Sequence, residues 1–371
     1  MRKRRYVVRH KGAALARVGL LLGALLLLAG AVYGVVALLQ TGGKGQDTQQ
    51  LPFTADSNYA FTGTGFLYMY GDRLYYDDLA DTKKDASYQV STGDVRLAAS
   101  PTLSVLYHET AVQILGAAES LEFSGQVLDV ACGAEHVAVL RQESGGNTAL
   151  AIFDKTGTQT DQMDFEAGAL MDFGFAQTGD ETMWTLEMNV TGSLPVSTLT
   201  TYNLATNHTT GVMSVQGQLV DQVVFTQNSI FLSCTTNLIR FNRTGITEAY
   251  RLLVYGWELC DVTTGGASPV MLFKERGAPD GVGTVKLYTL PEGDVGNAGI
   301  SDVQLPAGTI SAFLAGGKLQ ACTATERYTF SAAGKQLSVA ELPRPADRAV
   351  KLSEGYLLLT SGNGLYVSAI K

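Results

Sequence analysis

The chain has 371 residues, 41 of them Gly and 9% aromatic, and a net charge of -8. Seven of its 27 Lys and Arg lie in residues 1–17, leaving 20 cationic against 35 acidic residues, or -15, in the remainder. That balance excludes nucleic acid and anionic polymers as expected partners, because such partners bind through Lys and Arg neutralising phosphate or sulfate charge.

The chain opens on Arg2, Lys3, Arg4, Arg5, Arg9 and Lys11 with no acid among them, then runs apolar and uncharged from Val18 to Leu39. About 20 helical residues cross a bilayer core, and a basic flank stays on the cytoplasmic side. The expected order is a cytoplasmic stub at 1–17, a single transmembrane helix at 18–39, a polar linker at 40–50 and an extracytoplasmic domain at 51–371. The expected location is the cell membrane, with the N-terminus inside. Ala29-Gly30-Ala31 has the small-x-small form of a signal-peptide cleavage site. The apolar run continues past it through Val36, Leu38 and Leu39, however, which favours an uncleaved signal anchor. Any signal through the anchor would need a partner helix, which Arg17 and the small residues Gly19, Gly23 and Gly30 could contact; Gly19 and Gly23 have the spacing of helix-packing small residues.

From Leu51 onward the pattern changes to short apolar runs separated by Gly, Asn and Asp. Val127 to Glu166 shows it best: four strands of four to six residues fit, joined as hairpins. A four-stranded meander cannot bury both faces alone, and the chain supplies copies. Each copy is marked by its third strand, centred at Tyr76, Ile114, Phe153, Tyr202, Phe241, Tyr288, Phe330 and Tyr366. These centres recur about every 41 residues, the period of β-propeller blades. Turns such as Asp154 to Gly157 and Ser331 to Gly334 follow the marker strands, the polar residue bonding nearby backbone and Gly taking positive φ. The last unit, from Asp347, has only three strands. Leu51 to Ala55 would supply its fourth and close the ring, which otherwise leaves unpaired edges. The expected fold is an all-β, eight-bladed propeller. Seven blades is the alternative, because no clear turn separates Phe61 from Phe66.

Four units open with what reads as an apolar-Asp pair: Leu128-Asp129, Met171-Asp172, Val220-Asp221 and Cys260-Asp261. The expected role of these Asp residues is hydrogen bonding between blades near the central channel. His108, His136 and His208 fall in different units at no metal-ligand spacing. No G-x-S-x-G element marks a nucleophile, and no cofactor motif occurs. The four cysteines are expected as small buried residues, with Cys234 and Cys260 the only pair close enough in the ring to bond.

One face stands out. The loops between second and third strands are short in most units and long in three: Gln142 to Thr148, Asn189 to Ser197 and Lys274 to Thr284. Equivalent loops emerge on one face of a propeller, and loops on a rigid scaffold are where binding resides. The candidate binding residues on that face are Arg141, Glu143, Asn189, Trp257, Lys274, Glu275, Arg276 and Asp280. No catalytic residue is assigned.

Marker strands and anchor together resemble the membrane-anchored β-propeller proteins of uncharacterised function found in Gram-positive, clostridia-like bacteria. A more distant similarity is to the WD40 and quinoprotein propellers. No Trp-Asp pair closes a unit, the repeated tryptophan-docking motif of quinoproteins is absent, and so are the Asp-boxes of sialidases, so no family site residues carry over. A propeller with no acid/base, nucleophile or metal constellation in its sequence is expected to be a non-enzymatic binding or assembly scaffold for an envelope protein or cell-wall component. The alternative is a hydrolase or lyase acting on glycans or peptides at the propeller mouth, which requires the channel Asp residues to converge there.

Overall fold

The computed structural model describes residues 48–90, 95–176, 181–244, 246–263, 268–279, 283–290 and 298–370. The expected stub and transmembrane helix, and residues 40–47 of the expected linker, lie outside these residues. No helix among the described residues is long and apolar enough to cross a membrane.

Among the described residues, thirty-two strands, β1–β32 in chain order, form eight four-stranded antiparallel sheets. Seven are simple meanders of consecutive strands: Tyr59–Gln89, Arg96–Glu122, Val127–Phe165, Leu170–Gln216, Val220–Leu253, Trp257–Gln304 and Thr309–Glu341, here blades one to seven. Blade eight joins β30 (Arg348–Lys351), β31 (Tyr356–Ser361) and β32 (Gly364–Ala369) to β1 (Thr48–Thr54) from the other end of the chain. The ring is closed by the segment expected to close it, with the strand beginning at Thr48, three residues before Leu51.

Blade one is a blade in its own right, which decides eight against seven. The turn between Tyr59–Phe61 and Gly65–Tyr70 is made by Thr62, whose hydroxyl accepts the Gly65 N–H at 3.1 Å, and by Gly63 at φ 96°. The same device closes the first hairpin of blades two and five, where Leu103 N–H donates to the Ser100 hydroxyl and Ser229 N–H to that of Thr226. All eight marker residues fall in the third strand of their blade. Asp154 accepts the Thr156 and Thr158 N–H groups, and Gly157 sits at φ 89°, as its turn requires.

Side chains alternate across a strand, so each blade can bury two faces. Eight apolar clusters of the described residues result, one between each pair of neighbouring blades. In blade three, Leu150 and Ile152 pack towards blade four, while Ala151 and Phe153 pack towards blade two. Across the closure, Leu51 and Phe53 of β1 meet Phe66 and Tyr68 of blade one. The middle strands therefore have few exposed positions: Ser229–Cys234 is buried at every residue. The fourth strands are outermost and wet, as in Gln336–Glu341, where every residue is exposed. First strands neighbour one another from blade one to blade four and from blade six to blade eight.

Candidate functional site

The start of each first strand and each second-to-third-strand turn share one face of the ring. Backbone bonds tie them together: Val127 N–H to Glu109 O, Thr235 N–H to Leu219 O and Arg276 N–H to Gly256 O, at 2.7, 3.0 and 2.8 Å. On the inner side of this face, blades five to eight enclose an open cavity of about 670 Å³. Its lining includes Asp221, Glu258, Lys274, Arg276, Arg348 and Lys351.

A bulge recurs at the start of the first strand in blades three to seven. The register skips one residue, at Leu128, Met171, Asp221, Cys260 and Ile310. A bulge re-aims side chains at a channel rim, and here it corrects one sequence expectation. Asp129, Asp172 and Asp261 occupy the position after the bulge, but in blade five that position is Gln222, and Asp221 is the bulged residue itself. The two therefore do different work. Gln222 donates its amide to Leu259 O of blade six at 2.9 Å, whereas Asp221 pairs with Arg276 at 2.6 Å.

Asp261 has the expected inter-blade role. Its Oδ2 accepts the Leu314 N–H of blade seven at 2.7 Å, and it pairs with Lys351 of blade eight at 3.2 Å. Asp129 accepts Val130 N–H at 2.8 Å, and Asp172 accepts Phe173 N–H at 2.8 Å. Desolvation by the surrounding channel wall, with a smaller contribution from the Asp129 charge, raises the Asp172 carboxyl above its ordinary value even though water reaches it. The sign follows: ionised Asp172 opposes folding above the ordinary carboxylate pKa, and protonation removes the penalty. Asp172→Asn keeps an acceptor for Phe173 N–H and is expected to raise stability at pH 7. The gain is under about 1 kcal/mol because channel water screens the charge. Urea melts at pH 7 and pH 3 check it, since the gain vanishes once both states are protonated.

The eight candidate residues separate into several places. Lys274 and Arg276 line the mouth cavity, Lys274 paired with Glu258 at 3.1 Å. Glu275 between them is exposed. Asp280 lies outside the described residues. Trp257 is at the same blade but does not line the cavity. It is half-buried against the blade five–six core, with Lys286 Nζ 4.6 Å from its ring centroid. Arg141 and Glu143 pair at 3.1 Å in a separate recess of about 560 Å³ on blade three. Asn189 caps its own loop by accepting from Thr191 N–H at 2.9 Å.

Two features of the face were not read from the sequence. Arg348 lines the cavity, and its side chain has no ion pair or hydrogen bond among the described residues. Cys260 also lines it, exposed, while Cys234 and Cys322 are buried with their thiols pushed up to about 12. Cys234 and Cys260 are not bonded to each other. Brief maleimide labelling of native protein, read by peptide mass spectrometry, is expected to modify Cys260 well before the other three.

The chain matches no protein-family model and no curated protein sequence. Solved structures do share its fold. BamB from Moraxella catarrhalis superposes with a TM-score of 0.52 at 12% identity, over 87% of this chain and 96% of that one. The WD40 domain of SCAP from fission yeast gives 0.57 at 8% identity, over 87% and 94%. The computationally designed Ika8 protein gives 0.51 at 11% identity, over 87% and 98%. At such identities the likeness is one of β-propeller architecture.

Proposed function

We propose that this chain is a membrane-anchored, extracytoplasmic propeller that acts as a non-enzymatic binding or assembly scaffold. Its loop face takes an envelope protein or a cell-wall component, and residues 18–39 hold it in the membrane. The observation that carries the reading is the mouth cavity, a concave site on a rigid ring with charged groups converging on it.

A hydrolase or lyase is the second reading. It needs free channel carboxylates. Asp221 and Asp261 are both engaged, and Asp129 accepts from the Tyr107 hydroxyl of blade two at 3.4 Å, which leaves Asp172. The test is incubation of the full-length protein with cell-wall fragments and envelope peptides, following retention and turnover together. Retention without turnover supports the scaffold. Turnover abolished by Asp172→Asn overturns it in favour of an enzyme.

A further inference from the structure

The loop face carries an apolar arc that leads to the cavity. Of the exposed large apolar side chains among the described residues, none lies in a turn of the opposite face. Five lie together over blades four to six: Val190 and Leu194 in the long loop of blade four, Leu219 in the link to blade five, and Leu253 and Tyr255 where blade five passes into blade six. Leu253 and Tyr255 are 71% and 75% exposed. Backbone bonds link the segments that carry them. Gly217 N–H donates to Pro195 O, Thr235 N–H to Leu219 O, Val254 N–H to Thr236 O and Arg276 N–H to Gly256 O. The arc thus runs from Leu194 to Tyr255 and ends at Arg276, on the cavity wall. A run of exposed apolar residues rimmed by polar ones marks an interaction site.

Inside the cavity the charges are unequal in availability. Arg276 is held by Asp221, Lys274 by Glu258, and Lys351 by Asp261 and Glu354. Arg348 is the cavity cation with no described partner. The Arg348 side chain is exposed and tied to no described carboxylate of the ring, so it is available to one supplied by a partner. Four of the five arc residues are aliphatic, which suits the apolar side chains of a protein better than the faces of a sugar.

We propose that the occupant of this face is a protein segment in which apolar side chains flank one carboxylate, the apolar groups lying on the Leu194–Tyr255 arc and the carboxylate reaching Arg348. The proposal rests on the scaffold reading and narrows its partner to a protein of this chemistry.

The test uses phage-displayed random twelve-residue peptides selected on the full-length chain in detergent, followed by affinity measurement on a synthetic selected peptide. Enriched peptides are expected to carry Asp or Glu among apolar residues. Leu253→Asp/Tyr255→Asp is expected to weaken binding at least tenfold, and Arg348→Ala about tenfold. Replacing the peptide's acid by its amide should cost the same factor, with no further loss in Arg348→Ala. Val339→Asp, on an outer strand, should change nothing. If the double Asp variant melts below the parent, Leu253→Ser/Tyr255→Ser replaces it. Failure to enrich, absence of an acidic bias, or binding indifferent to the Leu253 and Tyr255 changes overturns the proposal. Retention of wall fragments in the cavity, independent of Leu253 and Tyr255, leaves the scaffold standing and refutes this partner.

Discussion

Phe53→Ala is expected to destabilise the ring by about 3–5 kcal/mol, the usual cost of truncating a buried Phe. Phe53 is 5% exposed in the strand that completes blade eight. Its ring contacts Tyr59, Phe66 and Tyr68 with centroids 5.0, 5.5 and 4.6 Å away, so one side chain joins blade eight to blade one. Losing it leaves a cavity at the one seam where the ring is held by strands from opposite ends of the chain. The per-residue entropy of unfolding converts the loss to a midpoint lowered by roughly 5–7 °C. Calorimetry of parent and variant checks this. A shift under 1 °C would mean that β1 adds little to closure.

The second large effect belongs to Asp261. Removing the carboxylate in Asp261→Ala takes the acceptor from Leu314 N–H and a partner from Lys351, uncoupling blade six from seven and eight at their inner edge. Hydrogen bonds to charged groups contribute about 1.5–3 kcal/mol. The side chain is 20% exposed, so about 2 kcal/mol is expected. Asp261→Asn keeps an acceptor for Leu314 N–H and should recover at least half. The same variant separates the two functional readings. A structural Asp261 loses stability and keeps partner binding in the cold, whereas a catalytic one loses turnover without melting earlier.

Much of the ring was legible because its local chemistry repeats. Asp154 and Ser331 announce their turns, the marker strands keep their spacing, and a three-stranded last unit demands a strand from elsewhere. Register was not legible. Val220-Asp221-Gln222 reads like Val127-Leu128-Asp129 only if one aligns the Asp residues. The bulge aligns Asp221 with Leu128 instead, because it inserts one residue of backbone without any change of composition. The candidate site divided for similar reasons. Lys274 and Arg276 were legible from a long charged loop. Trp257 looked available in sequence, but the core packing of blades five and six covers one side of it. Leu253 and Tyr255 were passed over because an apolar residue at a strand end reads as core. The signal present was Val254-Tyr255-Gly256, an aromatic beside a turn Gly at φ 82° where other links are mostly polar.

The central claim is that this ring works through its loop face, and photo-crosslinking in intact cells tests it most directly. A photo-reactive residue at Arg276, on the cavity wall, is compared with one at Lys155, in the turn between the third and fourth strands of blade three on the opposite face. A discrete protein adduct from Arg276 and none from Lys155 is the predicted result. An adduct from Lys155 alone would contradict it and place the working surface on the other side of the ring.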